Sequence, residues 1–457
     1  MSKRFRECSL DQPFLLPPSL QDWLPEDHLA RFIAEVVASL DLTEIYAQYE
    51  RKDGRGLAAY HPLMLTRLLL YAYCTGRASS RKIEQATHDD IAFRYLAANQ
   101  HPDHDTIAQF RQQHLQALAR LFVQALHLCR RAGLVKLANV AVDGTKIKAN
   151  ASPQHSKRYA EMKKEEEHLQ RLVEQMLEQA ARTDREEDQG HGPGQKGGAL
   201  PAELATVEQR IERLRQAQRE LQEEARQQVE QAPQLPDRKP GRPRKGEQRP
   251  ALDTQQRHSL RKRLRRLRQR AENPERQYNF TDPDSRVMRD NGLKTYVQAY
   301  NAQIGVDAET QVIVAAEVTQ EVTDHHQLAP MVEQVRCMTQ ANPSCVTADA
   351  GYWCTAQLLD PSLSGVRLLV APERNAPQGE RTRVSVLAVA MRDRLRQGEE
   401  RKLYAMRQAS VEPVLGQIKQ IRGFRQFLLR GWDKVRAEWR LICLTHNLLK
   451  LFRHAAA

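Results

Sequence analysis

The sequence predicts an α/β protein built on a mixed sheet, preceded by an all-helical segment and interrupted by a charged helical insertion. Three observations predict it. Short β-branched and apolar runs recur at VAVDGTKIKA, YVQAYNAQIGVD, QVIVAAEVT, CVTADAG and VRLLVAP. Helix-spaced apolar residues fill the chain before the first run and after the last. The composition between the first and second runs changes to Glu, Arg, Gln and Lys with few core-sized residues. The order β, insertion, β, β, α, β, α, β, α is an α/β layout.

Residues 1–135 read as helices. LPEDHLARFIAEVVASL places apolar residues at helical spacing after a Pro-Glu-Asp start. PLMLTRLLLYAYCTG follows His61-Pro62 and stops at Gly76, and SSRKIEQATHDDIAFRYLA carries two short helices. One long helix is expected from Asp105, as its cap, to Gly133, as its end. Basic polar faces on such helices suit a domain that binds DNA ends, and a simply packed helical domain is the alternative.

Within 155–275, KRYAEMKKEEEHLQRLVEQMLEQAART and ELATVEQRIERLRQAQRELQEEARQQVEQ carry Leu, Val, Ile and Met at about coiled-coil spacing. The Gly-rich DQGHGPGQKGG between them is read as a flexible turn, which makes the pair a helical hairpin. RKPGRPRKGEQRP is too rich in Pro and Gly for regular structure, and Arg-rich LRKRLRRLRQR closes the segment. The expected division is therefore 1–135 helical, 136–154 the first part of an α/β domain, 155–275 the insertion, and 276–457 the remainder of that domain.

A net charge of +13 and a pI near 9.5 point to nucleic acid as a partner, because Lys and Arg displace counterions from phosphates. Mean hydropathy is −0.67, and no apolar run nears the roughly 20 residues that span a bilayer. The basic N-terminus lacks a signal-peptide pattern, so the cytoplasm is the expected location. The seven cysteines form no C-x-x-C pair and read as reduced thiols. No phosphate-cradling G-x-x-x-x-G-K-[ST] loop or nucleophile elbow occurs, which argues against nucleotide-hydrolysing and serine-hydrolase classes.

The acidic residues carry the chemistry. Asp143 ends an apolar strand and precedes Gly144; Asp349 ends another, with Gly351 just beyond. Carboxylates at strand ends project past the sheet edge, where an ion or ligand can approach. Joined by a third carboxylate from a helix, they form a hard oxygen site suited to Mg²⁺ or Mn²⁺. Glu412 and Lys419 lie seven residues apart, close to two helical turns, with Tyr404 and Arg407 on the approach. Glu438 is the alternative third ligand.

VDGTKIKANAS, TADAGYW and Y-x2-R-x4-E-x6-K, in this order, resemble the three catalytic regions of DDE transposases of bacterial insertion sequences, in the superfamily with the Tyr-Arg-Glu-Lys signature. LPEDHLARFI, SSRKIEQATHDDIAFRYLA and PDHDTIAQFR resemble the helical (InsH-type) N-terminal domain found in many of them. NFTDPDSRVM, YNAQIGVD and VTDHHQLAPM resemble further blocks, so that only the charged insertion is left uncovered. The interval between Arg407 and Glu412 is one residue longer than the commonest form of the signature.

The resemblance implies an RNase H-like catalytic domain with a metal-binding catalytic triad of Asp143, Asp349 and Glu412. It implies metal-assisted cleavage of double-stranded DNA at the element's ends, then attack of the freed 3′-hydroxyl on target DNA, with no nucleotide cofactor. Tyr404, Arg407 and Lys419 would contact DNA phosphates, and synapsis of two ends implies a homodimer on DNA. Trp353 either packs in the core or stacks on an extruded base, since aromatic faces accept any base. PGRPRKG resembles an AT-hook, with Arg242 and Arg244 entering a narrow minor groove and Arg238, Lys239 and Lys245 on flanking phosphates. His325 and His326 read as a loop-to-helix junction near the site, or as metal ligands. A DNA nuclease without strand transfer, and an inactive transposase-derived DNA-binding protein, are the alternative functions.

Overall fold

The computed structural model describes residues 19–50, 59–191, 202–230, 265, 273–290, 294–372 and 386–456. The chain forms two compact units, one of residues 1–150 with 284–457 and the other of residues 151–283.

The first unit joins seven N-terminal helices to a six-stranded sheet. Helix α1 (Leu29–Ser39) starts where the His28 ring nitrogen accepts the Ala30 N–H, and it buries Ala30, Ile33 and Val37 at helical spacing. α2 (Thr43–Glu50) follows. α3 (Pro62–Cys74) has Pro at its first position and the His61 ring as its cap. It is buried over most of its circumference, which marks a helix at the centre of its layer. α4 (Ser80–Asp89) and α5 (Ile91–Leu96) are the two short helices expected.

The single long helix expected from Asp105 is instead two, α6 (His104–Gln113) and α7 (Leu115–Arg131). Asp103 is the cap, accepting the Thr106 N–H at 2.6 Å. The break falls at His114, a buried residue whose ring stacks on Tyr49 at 5.5 Å. Apolar periodicity runs across the break, so tertiary packing of one ring overrides the local pattern. Gly133 closes the segment at φ +75°.

The sheet is built from β1 (Val140–Lys148), β4 (Arg286–Asp290), β5 (Thr295–Asp307), β6 (Ile313–Thr319), β7 (Cys345–Ala348) and β8 (Arg367–Val370). Strand β5 pairs antiparallel with β1 along one edge and with β4 and β6 in turn along the other. β7 and β8 then continue the sheet parallel to β1. Val140, Ala141 and Val142 are all fully buried, as a central strand covered on both faces requires.

Helix α10 (Leu328–Thr339) packs on β5 and β6. After the short α11 (Thr355–Leu358) and β8 come α12 (Val386–Arg396) and α13 (Gly398–Gly416), the latter lying over β1 and β7. The last helix, α14 (Trp432–Ala455), packs on α7, α3 and β6. Its Asn447 amide both accepts the N–H of Ile313 and donates to that residue's carbonyl, each at 2.8 Å, so one side chain occupies backbone groups of β6. Buried Arg422 donates to the Thr445 hydroxyl and the Ile442 carbonyl of the same helix.

The second unit has its own small core. Helices α8 (Tyr159–His191) and α9 (Ala202–Glu230) run antiparallel, with Tyr159 bonded to Gln222 and Glu166 to Arg215. Met162, Leu169, Ile211, Leu214, Ala217 and Leu221 are buried between them with Tyr278. Strands β2 (Ser156–Arg158) and β3 (Gln277–Asn279) pair antiparallel beside them. α8 continues through Gly190 and His191, where the sequence pattern places the start of the turn. PGRPRKG, with Arg242 and Arg244, and all of LRKRLRRLRQR but Arg265 lie outside the described residues. Among the described residues, no helix is long and apolar enough to cross a membrane.

Candidate functional site

Two neighbouring parallel strands deliver the central pair. The register of β1 on β7 pairs Val142 with Ala348, and the next residues along it are Asp143 and Asp349. Parallel neighbours in register point to one face, about 5 Å apart. β7 ends at Ala348 while β1 runs on to Lys148, so this edge of β1 opens beyond the two carboxylates. The Asp143 carboxylate accepts its following N–H, from Gly144, at 2.8 Å; Asp349 accepts the Gly351 N–H at 2.9 Å at the head of a tight turn.

Burial is the largest influence on both. Asp143 is pushed up to about 6, by desolvation first and then by the charge of Asp349, with Arg407 opposing. Desolvation also raises Asp349, and Arg407 again opposes it. Two half-desolvated carboxylates side by side have the donor chemistry that a hard divalent cation relieves.

Helix α13 supplies the cations. Arg407 is buried and donates to Asp143 Oδ2 at 3.3 Å. Its guanidinium lies 5.9 Å from the centre of the Tyr404 ring. Pro413 interrupts the helix and has no N–H to give the Ala409 carbonyl, which accepts the Gln311 amide instead at 3.1 Å. A wider, π-helical turn follows over Gln417–Ile421. It carries Lys419, whose ammonium donates to Thr145 Oγ1 at 3.0 Å and to the Lys146 carbonyl at 3.3 Å.

The residues singled out in the sequence fall into three groups. Asp143, Asp349 and Arg407 are brought together, with Lys419 tied to the same strand. Tyr404 and Trp353 are partly buried, packed against the cluster of Cys345, Leu369 and Met391. Glu412 is exposed on α13 and makes no hydrogen bond or ion pair with any described residue. Among the described residues no three His, Cys, Asp or Glu side chains are grouped to hold a metal ion. Asp143 and Asp349 fit as two hard donors, and Glu412 stands exposed on α13, the helix that lies over their strands. Glu438 is fully buried and accepts the N–H groups of Leu428 and Leu429, which makes it a backbone cap.

Sequence reasoning missed a polar network beside this pair. Asp324, in the loop before α10, accepts the side-chain amides of Asn301 and Gln303 through Oδ1, each at 2.7 Å. Gln303 in turn accepts the hydroxyl of buried Tyr352. His325 and His326 form the loop-to-helix junction: the His325 ring meets the Trp353 carbonyl at 3.2 Å, and the His326 carbonyl accepts the Gln357 amide at 2.7 Å. The available signal was two amides, Asn301 and Gln303, on one side of an otherwise apolar strand.

The site therefore sits in a mixed α/β protein, with Asp349 just past the end of β7, Asp143 beside it within β1 rather than at that strand's end as its sequence suggests, and a cationic helix across them. Residues 18–113 match the family described as Transposase domain (DUF772), and residues 276–448 match the Transposase DDE domain. Both matches are to transposase families, and the pair is consistent with a DDE transposase of an insertion sequence. No curated protein and no solved structure matches it. Transposase DDE domains generally use divalent metal ions.

Proposed function

We propose that this chain is a DNA transposase that binds the ends of an insertion sequence, cleaves them and joins the 3′-hydroxyl ends to target DNA. The observation that carries the reading is Asp143 beside Asp349 on adjacent parallel strands, in a chain whose residues 276–448 match the Transposase DDE domain. The sheet order supports an RNase H-like catalytic domain: β6, β5 and β1 antiparallel, then β7 and β8 parallel.

Asp143, Asp349 and Glu412 are the residues that would hold Mg²⁺ or Mn²⁺. Such ions, when bound, activate the attacking oxygen and stabilise the leaving one. The chain's own residues do the rest. Arg407 neutralises Asp143 and fixes α13 on β1, and Lys419 holds the strand two residues beyond. Glu412 is exposed on α13, directly before Pro413 and one turn ahead of the wide turn that carries Lys419. Helices of residues 1–135 bind the DNA ends, and Arg242 and Arg244 enter an A·T-rich minor groove. Pairing of two ends calls for a homodimer on DNA, in the cytoplasm.

The deciding experiment is cleavage of a labelled duplex carrying the element's own end, with Mg²⁺ or Mn²⁺, by wild type and Glu412→Gln. Nicking at the end boundary and end-joined product from wild type alone, with binding kept by the variant, support the reading. Nicking without joined product reassigns the chain to nucleases, and binding without cleavage by either protein reassigns it to inactive DNA-binding relatives.

A further inference from the structure

The acidic site contains a cation to which the reading above gives no role. Lys146 lies on β1 three residues beyond Asp143, and strand alternation turns its side chain to the opposite face. Asp324 stands on that same face, over Gly144, and Lys146 feels its charge first and those of Asp143 and Asp349 after it. The side chain is only 19% exposed, and its ion pair with Asp324 Oδ1 spans 3.9 Å. Its ammonium makes no hydrogen bond with any described residue, whereas Lys419 donates to Thr145 and to a carbonyl. An ammonium carries three donors, and those of Lys146 are left open to water or to a bound group.

Its counter-charge is firmly placed. Asn301 and Gln303 are fully buried and both donate to Asp324 Oδ1, and Gln303 is itself held by Tyr352. The space Asp324 occupies exists because Gly144 has no side chain: a Cβ there would lie 2.7 Å from Asp324 Oδ1 and 2.3 Å from Gln303 Nε2. Two buried amides are thus committed to hold one carboxylate against a partly buried lysine. An anchored cation with open donors, within reach of the charges of Asp143 and Asp349, matches a non-bridging phosphate oxygen.

We propose that Lys146 is a substrate-contacting residue, its ammonium taking a phosphate oxygen of bound DNA, and that Asp324 is the positioning residue that holds it there. The proposal rests on the transposase reading for its substrate.

The test uses the full chain, the labelled end duplex and Mg²⁺, with Lys146→Gln, Lys146→Arg, Asp324→Asn and the double variant Lys146→Gln/Asp324→Asn. Thermal melting checks each fold, and Lys146→Met, which keeps the alkyl stem, replaces Lys146→Gln if that variant fails to fold. Loss of one phosphate contact lowers the slope of log affinity against log salt by about 0.9. Lys146→Gln is expected to show that change and to slow single-turnover cleavage ~10²-fold, as for loss of one donor to the reacting group. Lys146→Arg restores the slope. Asp324→Asn slows cleavage about tenfold, a smaller loss because it acts through Lys146, and adds nothing in the Lys146→Gln background. An unchanged slope in Lys146→Gln overturns the phosphate contact, and additive losses overturn the positioning role. If wild type binds without cleaving, the transposase reading fails while the slope comparison still decides the contact.

Discussion

Arg407 and Asp143, far apart in the chain, meet at 3.3 Å and fasten helix α13 to the central strand of the sheet. Both side chains are largely removed from water, at 11% and 19% exposure, so neither charge is satisfied cheaply alone. Arg407→Met is expected to lower unfolding free energy by roughly 2–3 kcal/mol, somewhat below the range for fully buried pairs because some water reaches Asp143. Urea unfolding measures it. Arg407→Met/Asp143→Asn should recover part of the loss, since no uncompensated carboxylate remains. A double variant less stable than Arg407→Met would count against this account.

Gly144 and Gly351 test the space around the carboxylates. A methyl on Gly144 meets Gln303 at 2.3 Å and Asp324 at 2.7 Å, while one on Gly351 meets Asp349 Oδ1 at 3.1 Å. Gly144→Ala should therefore displace the amide network and reduce end cleavage by ~10-fold or more, about 1.4 kcal/mol of transition-state stabilisation. Gly351→Ala should cost less. Cleavage assays on folded protein rank the two, and the reverse order would contradict the geometry.

A second glycine pair separates backbone strain from crowding. Gly76 and Gly133 both have left-handed φ, +77° and +75°. A Cβ on Gly76 would lie 2.5 Å from the Arg422 carbonyl oxygen, whereas nothing lies within 4 Å at Gly133. Gly133→Ala should cost about 1–2 kcal/mol from φ alone. Gly76→Ala should cost at least about 1 kcal/mol more, because the obstacle is backbone. Equal unfolding midpoints would show that the α3 end can move away from Arg422.

His446 makes stability depend on pH. Its ring is buried, and desolvation first, then Arg422, pulls it down to about 3. The neutral ring donates from Nε2 to the Gln311 carbonyl at 2.9 Å, so Nδ1 must accept, and the Gln417 amide must turn its NH₂ toward it. With the folded value depressed, the unfolded chain binds the extra proton once pH falls below about 6.5. The contribution is intact above that pH and declines toward 3 by up to ~1.4 kcal/mol per unit. Chemical unfolding of wild type and His446→Gln from pH 7 to 4 should give diverging curves, wild type falling faster. Parallel curves would show that His446 is protonated in the folded protein.

What could be read in advance was local. Asp143 and Asp349 each end a short apolar run beside a glycine, so a few consecutive residues betray them. The α/β layout followed from periodicity for the same reason. Asp324 was passed over because its partners Asn301, Gln303 and Lys146 are brought to it only by the pairing of β5 with β1. The break at His114 leaves no trace in periodicity, and the Tyr49 and Phe110 rings that lie against it there come together only in the fold. The packing of Trp353 against Cys345, Leu369 and Met391 is likewise a product of the turn after β7 and is not legible in its neighbours in sequence.

The β2–β3 ladder has a consequence for how the chain finds its fold. β1 must pair with β5 across everything between Lys148 and Thr295, a closure that is slow in a flexible chain because the entropy is lost before contacts repay it. Ser156 opposite Asn279 and Arg158 opposite Gln277 form a clasp that takes most of this length out of the search. Once the hairpin has condensed on its own core, the remaining loop is short. The insertion is then kinetically almost invisible to the sheet, and its far end can lengthen or diverge without altering the speed at which the catalytic strands meet.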